Sequence, residues 1–457
     1  MAFHELLQTI AERQRDIAEG PITPHVAPDE IRSYLASRYD FSGPTALDEV
    51  IADVEGMMRK WQVQVTHPRY FGLFNPSVDA ASIVADTLVA LYNPQLASWR
   101  TSPAANEIER HTLAWLAGKF GLPPRTIASF TTGGAEANLS AVIAALTYTV
   151  PEYGEHGARS LSAAPVIYVS RGAHDSFHKI AHITGIGRRA LRIVATDDDL
   201  RMDLADLART VAEDREKGLS PLMVVATAGS TAAGAIDPLS DIARFCAVER
   251  LWFHVDAAWG GAAILSPRLS VHLAGIENAD SITCDAHKWF SVPMGAGMFF
   301  CRHPEAVAAA FRVQTTYMPD QTAGETVDPY ATSIQWSRRF IGLKLFLALA
   351  ARGESGYVAM IERQTLMGDV MRAALSAAGW RIVNRTPLPL LCFDREGLAV
   401  SNLLAKLYEL QIAWMSQVRL GGGASVVRAC ITSFRTRPAD IEYVVREMTE
   451  LVEQGVV

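Results

Sequence analysis

The sequence predicts an α/β fold: a large domain on a mainly parallel sheet, with a helical N-terminal segment before it and a small α+β domain after it. Three observations carry this. Between about 89 and 310, short and nearly unbroken apolar runs alternate with helical stretches, the pattern of parallel strands buried on both faces. The polar motifs of that region fall at the ends of the apolar runs, where open α/β sheets gather ligands. The 457 residues exceed one ordinary core. We divide them into an N-terminal helical segment (1–88), a large domain (89–345) and a small C-terminal domain (346–457).

Thr45-Ala-Leu-Asp-Glu-Val-Ile opens like a capped helix, with a hydroxyl, acids three to four positions on, and apolar Leu47, Val50, Ile51 and Val54 on one face. His67-Pro-Arg-Tyr-Phe-Gly-Leu-Phe-Asn-Pro-Ser77 is aromatic and aperiodic. A segment of that kind packs against something, as a core loop, a pocket wall or a subunit contact. Strands are expected over 165–169, 222–226, 251–255, 281–284 and 298–301, with helices over 136–146 and 203–213 between them. Residues 312–340 are polar and lack periodicity, as lids do. A helix begins at Arg339, and strands over 388–393 and 426–431 belong to the small domain.

A net charge of -7 gives no basis for binding nucleic acid or an anionic membrane. Apolar runs such as 343–351 are too short to span a bilayer. The N-terminus becomes charged within a few turns and lacks a basic leader with an apolar core, so a cytoplasmic protein is expected. Five cysteines, Cys246, Cys284, Cys301, Cys392 and Cys430, are odd in number and widely spaced. They read as reduced core thiols, without metal-ligand spacing.

The chemistry concentrates in Ser281-Ile-Thr-Cys-Asp-Ala-His-Lys-Trp-Phe290, an apolar strand that runs into Asp285, His287 and Lys288. A lysine at a strand end is either exposed to water or held in a pocket where its amine attacks a carbonyl. Upstream, His254-Val-Asp-Ala-Ala-Trp-Gly-Gly261 is a second strand, ending on Asp256. A buried carboxylate needs a partner, and a pyridinium nitrogen is a fitting one. A strand-end Asp and a Schiff-base Lys are the two groups that a pyridoxal phosphate site requires. Thr131-Thr-Gly-Gly-Ala-Glu-Ala-Asn138 precedes an apolar helix whose first amides favour phosphate, although a Gly-Gly turn is often a cap alone. It is neither a Walker loop nor a dinucleotide turn. His174, in Gly172-Ala-His-Asp-Ser, follows a strand and offers a flat ring to stack on a flat cofactor. Ala226-Thr-Ala-Gly-Ser-Thr231 ends another strand on hydroxyls.

Taken together, these motifs resemble the group II pyridoxal-phosphate-dependent amino acid decarboxylases, which act on aromatic amino acids and on glutamate. The resemblance runs from His67-Pro-Arg-Tyr-Phe to Arg428-Ala-Cys-Ile-Thr, and His-Val-Asp-Ala-Ala-Trp-Gly-Gly and Asp-Ala-His-Lys-Trp are highly specific to the family. Trp336-Ser-Arg-Arg-Phe-Ile-Gly-Leu-Lys-Leu-Phe346 looks most like the aromatic branch. The resemblance implies the aspartate-aminotransferase-like type I fold and a homodimer with its active site at the subunit interface. It implies that Lys288 carries the cofactor as a Schiff base, that Asp256 pairs with the pyridine nitrogen and that His174 stacks on the ring. Gly133, Gly134 and Ala135 then offer amides to the phosphate, His287 and Asp285 lie on the phosphate side, and Thr231 lies near the cofactor. Arg428 matches the arginine for the substrate carboxylate. Tyr330, eight residues before Arg338, falls within one position of the family's mobile-loop tyrosine, which protonates Cα after carbon dioxide leaves, with Tyr317 as its competitor.

The sequence departs from the animal aromatic enzymes at Asp285, where they carry Asn, and at Asn75 and Ala97, where they carry Phe. Phe74 keeps the pocket aromatic, while Asn75 and Gln95 make it more polar. The reading is therefore a carboxy-lyase releasing an amine and carbon dioxide from an L-amino acid, aromatic first. An acidic or diamino substrate (glutamate, aspartate, cysteine sulfinate, 2,4-diaminobutyrate) is the alternative. An aldehyde synthase, which lacks the lid tyrosine or the stacking histidine, and an aminotransferase stand further off. A cofactor-binding protein without turnover is disfavoured by the intact Lys288, Asp256 and His174. No metal is expected.

Overall fold

The computed structural model describes residues 3–75, 77–313, 326–421, 423 and 425–457. Seven strands form the large sheet: β1 (Ile127–Thr131), β2 (Pro165–Ser170), β3 (Leu191–Val194), β4 (Ser220–Thr227), β5 (Trp252–Asp256), β6 (Ser281–Asp285) and β7 (Gly297–Cys301). Their order is β1-β7-β6-β5-β4-β2-β3. Only β7 is antiparallel to its neighbours, β1 and β6; the other pairs are parallel.

Successive residues of each strand feed opposite cores. Val166 and Tyr168 of β2 pack with Val224, Val255, Ile282 and Phe300 on one face. Ile167 and Val169 pack with Val225 and Phe299 on the other. The second face is covered by the helix Gly134–Thr149, whose Ala137, Ala141, Ala144 and Ala145 are buried there. Small side chains let that helix lie close to the sheet, so its N-terminus arrives at the strand ends.

Register aligns the polar strand ends. Thr227, Asp256 and Thr283 are paired across β4, β5 and β6, and Asp285 pairs with Gly297. The tight turn after β5 explains the Trp-Gly-Gly that follows Asp256. A Cβ on Gly260 would stand 2.2 Å from the Ala228 carbonyl oxygen, and one on Gly261 would stand 2.6 Å from Cys284 Sγ.

The N-terminal segment supplies four helices, Phe3–Glu19, Pro28–Arg38, Leu47–Trp61 and Ala80–Tyr92. The third begins two residues after the expected Thr45 cap. Ala46 is its N-cap, with no side-chain cap, and Asp48 and Glu49 alone complement the helix start. Its expected apolar face is present but uncovered: Leu47, Ile51, Val54 and Met58 are exposed. The long helix Leu343–Ala377, broken at Gly353 (φ 69°), leads into the small domain. There β8 (Arg381–Ile382), β9 (Leu390–Asp394), β10 (Ser416–Arg419) and β11 (Ser425–Cys430) form an antiparallel sheet in the order β10-β11-β9-β8.

The aromatic segment after His67 packs as a core loop. The Phe71 amide donates to the Trp414 carbonyl, and the Cys430 amide donates to the Phe71 carbonyl. Phe71 is buried in the small-domain core. All five cysteines are free and buried. Among the described residues no helix is long and apolar enough to cross a membrane.

Candidate active site

Lys288 follows β6, and its Nζ lies 3.2 Å from Asp285 Oδ2 and 5.7 Å from the centre of the Phe74 ring. The next residue anchors the turn: buried Trp289 donates its indole N–H to Gln364 Oε1 at 2.7 Å. Asp256, at the end of β5, is 4% exposed. Its Oδ1 accepts the Ala258 amide at 3.1 Å and its Oδ2 accepts Asn138 Nδ2 at 2.9 Å. Both oxygens therefore meet donors, as a buried carboxylate requires.

Gly133 is the N-cap of the Gly134–Thr149 helix. The first amides of any helix have no carbonyl one turn back, so those of Gly134 and Ala135 are available to an anion. A side chain at Gly134 would crowd the spot, with its Cβ 3.0 Å from Asp285 Oδ2 and 3.2 Å from Ala258 Cβ. His287 is buried beside this loop, and its Cε1 would lie 3.4 Å from a Cβ on Gly133. Burial is the main cause of a lowered His287 pKa, which favours the neutral ring. Its Nδ1 accepts the Ala296 amide at 3.1 Å, so the proton resides on Nε2, a donor on the side of the helix start. Asp285 is buried, and its Oδ1 has no partner among the described residues.

His174 is exposed just beyond β2, with Nδ1 accepting the Ser176 amide at 3.2 Å. Thr231 is exposed, and its carbonyl accepts Arg428 Nε at 2.8 Å. Arg428 is only 2% exposed. Its Nη1 donates to the Gly72 carbonyl at 2.7 Å and to Ser416 Oγ at 3.3 Å. Its Nη2 is buried without a partner among the described residues. The guanidinium lies 4.7 Å from the centre of the Phe74 ring, so Lys288 and Arg428 address one aromatic ring, which itself packs 4.6 Å from Trp259.

These residues fit pyridoxal phosphate. The helix start and His287 Nε2 supply donors for phosphate, Asp256 suits a protonated ring nitrogen, and the unpartnered Arg428 Nη2 awaits an acceptor such as a carboxylate.

Three further expected residues are placed as follows. Asn75 is half-buried next to Phe74. Gln95 does not line the pocket with a free amide: its Oε1 accepts the Ala97 amide at 2.7 Å and its Nε2 donates to Ser337 Oγ at 3.4 Å. Tyr330 is buried in a short turn, its amide donating to the Ala97 carbonyl and its ring 5.1 Å from that of Trp336. Tyr317 lies outside the described residues. Sequence reasoning quoted Asn138, His254 and Ser281 inside its motifs without assigning them a role. The signal was a polar residue at alternate positions of an apolar strand, His254 with Asp256 and Ser281 with Thr283, which puts each pair on one strand face.

A family model for the pyridoxal-dependent decarboxylase conserved domain matches residues 33–396. The aromatic-L-amino-acid decarboxylase of Bacillus atrophaeus is 26% identical, covering 99% of this chain and 95% of its own. The histidine decarboxylase of Mus musculus is 29% identical, covering 96% of this chain and 68% of its own. Among solved structures, Oryza sativa TDC with PLP and tryptamine superposes with a TM-score of 0.91 at 23% identity, covering 98% of this chain and 97% of its own.

Proposed function

Because the chain belongs to the pyridoxal-dependent decarboxylase family, we propose that it converts an aromatic L-amino acid to the corresponding amine and carbon dioxide. The observation that carries this is the Phe74 ring, which packs on Trp259 and is approached by both Lys288 and Arg428. An aromatic side chain finds an aromatic wall there, while the α-carboxylate finds the unpartnered Nη2. Relatives named aromatic-L-amino-acid, tryptophan and histidine decarboxylases support the same substrate class.

Pyridoxal phosphate, when bound, supplies an electron sink for the carbanion left as carbon dioxide departs. Lys288 holds the cofactor's aldehyde carbon. Asp256 keeps the ring nitrogen protonated, and His174 covers the ring face. The amides of Gly133, Gly134 and Ala135 and the His287 Nε2–H bind phosphate. Asp285 balances the charge of Lys288, and Thr231 borders the cofactor. Arg428 fixes the substrate carboxylate, with Phe74 and Asn75 on its side chain. Tyr330 delivers the proton to Cα once the lid carries it to the site.

The protein acts as a homodimer, with division at about residues 88 and 345. The exposed apolar stripe Leu47, Ile51, Val54 and Met58 supports burial against a second subunit. Five buried free thiols support a reducing compartment such as the cytoplasm.

The test is carbon dioxide release from the holoenzyme with a panel of L-tyrosine, tryptophan, DOPA, phenylalanine, histidine, glutamate, aspartate and 2,4-diaminobutyrate. Release from aromatic substrates supports the reading. Release from acidic or diamino substrates alone overturns the substrate class and leaves the reaction standing.

A further inference from the structure

Behind Asp256 runs a row of buried polar side chains that the reaction as read above does not use. His254 sits two residues before Asp256 on β5, and Ser281 of β6 is its register partner. Ser281 Oγ lies 2.8 Å from His254 Nδ1. His254 Nε2 lies 3.0 Å from Asn138 Oδ1, and Asn138 Nδ2 donates to Asp256 Oδ2 at 2.9 Å. At the far end Trp252 Nε1 donates to Ser281 Oγ at 2.8 Å. All five side chains are 5% exposed or less.

The donor and acceptor inventory fixes every proton in this row. An ionised carboxylate only accepts, so Asn138 turns its NH2 to Asp256 and its carbonyl to His254. A carbonyl only accepts, so His254 Nε2 carries a proton. Complete burial keeps this imidazole neutral, with a pKa lowered to about 4, so Nδ1 is an acceptor and takes the Ser281 hydroxyl proton. Ser281 then accepts from the indole N–H, which can only donate. Every link points the same way.

We propose that Trp252, Ser281, His254 and Asn138 form a one-directional hydrogen-bond relay that positions Asp256 and keeps it ionised toward the ring nitrogen of the cofactor. A proton on Oδ2 would force the Asn138 amide to turn. The His254 tautomer would then have to reverse, and Ser281, accepting from both the Nδ1–H and the indole N–H, would lose His254 as the acceptor of its own proton. Low local dielectric strengthens such a chain and penalises any broken link. These are positioning residues, and the inference rests on the role given to Asp256 above.

The test has two arms. In the apoprotein, nitrogen-15 NMR of labelled histidine should show His254 as the neutral Nε2–H tautomer. Ser281→Ala, which leaves the Asn138 carbonyl in place, should keep the Nε2–H form, whereas Asn138→Leu should let the Nδ1–H form appear. In the second arm, the dissociation constant of pyridoxal phosphate is read by fluorescence titration. His254→Leu should weaken binding by roughly 2- to 10-fold, the range for a lost hydrogen bond between neutral groups. His254→Gln, whose amide can still donate to Asn138, should retain most of the affinity. In an Asp256→Ala background His254→Leu should add no further loss.

An Nδ1–H tautomer or an imidazolium in the apoprotein overturns the relay. So do additive losses in the double variant. If Asp256→Ala alone leaves cofactor affinity unchanged, the role of Asp256 fails and the proposal with it; the tautomer in the apoprotein tells that failure from one in the relay.

Discussion

Replacing Arg428 by Lys should separate recognition of the substrate carboxylate from everything else the site does. The guanidinium has five N–H groups. Thr231, Gly72 and Ser416 take three of them, and the two on Nη2 are buried without a partner. A buried donor left unmade is costly, and a hydrogen bond to a charged group is worth about 1.5–3 kcal/mol. Lysine keeps the charge but has one nitrogen and no planar fork, so it cannot serve the three protein oxygens and a carboxylate together. At about 1.4 kcal/mol per tenfold, binding should weaken by roughly 10- to 100-fold. The assay is titration of the holoenzyme with the best amino acid of the panel and, separately, with the amine it yields. The amine has the same ring and lacks only the carboxylate, so its affinity should stay within a small factor while that of the amino acid falls. Equal losses for both, or a loss for neither, would refute the assignment of Nη2 to the carboxylate.

Lys288→Ala should abolish the visible band of covalently held pyridoxal phosphate after dialysis; a band that persists removes Lys288 from its role. Tyr330→Phe should leave cofactor affinity unchanged and divert product away from the amine, as followed by chromatography, whereas an unchanged amine yield moves the proton donor to Tyr317 or elsewhere. Ile51→Glu places a charge in the exposed stripe of the Leu47–Trp61 helix and should shift sedimentation toward the monomer with loss of activity. His67 is buried, and burial lowers its pKa to about 4, so the folded protein resists a proton that the unfolded chain takes at about 6.5. Stability is therefore full above about pH 6.5 and is lost as pH falls toward 4, by roughly 3 kcal/mol from this group. His67→Asn should flatten that slope in urea titrations at stepped pH, and an unaltered slope would mean that other groups govern it.

Much of the site was legible because its chemistry is tied to strand ends. Asp256 and Lys288 follow apolar runs that form β5 and β6, and register brings those ends side by side. Other features follow from partners that a linear reading does not hold. The hydroxyl of Thr45 looked like a cap, yet the helix starts one residue too late to use it. β3 was missed because it is a short edge strand holding Arg192, which pairs with buried Asp214. The antiparallel β7 carries a signal that was not used: only 286–296 separate it from β6, with no helix between, and a parallel return needs a longer crossover. Gln95 looked like a pocket group, but bonds to the nearby Ala97 amide and to Ser337, 242 residues away, occupy its amide. The relay behind Asp256 was hidden because Asn138 joins it from 118 residues away.

The oxygens that hold Arg428 include the main-chain carbonyls of Thr231 and Gly72, and Gly72 lies two residues before Phe74. A carbonyl is the same whatever side chain its residue bears. If Arg428 holds the carboxylate as proposed, mutation at positions 73–75 should retune which side chain is accepted while that grip stays. The position that cannot drift is Gly72, where a Cβ would stand 2.0 Å from Trp414 Cζ3. On the roles proposed above, four consecutive residues, 72–75, separate an inherited reaction from an evolvable specificity, which is one physical reason that a single fold serves decarboxylases of many amino acids.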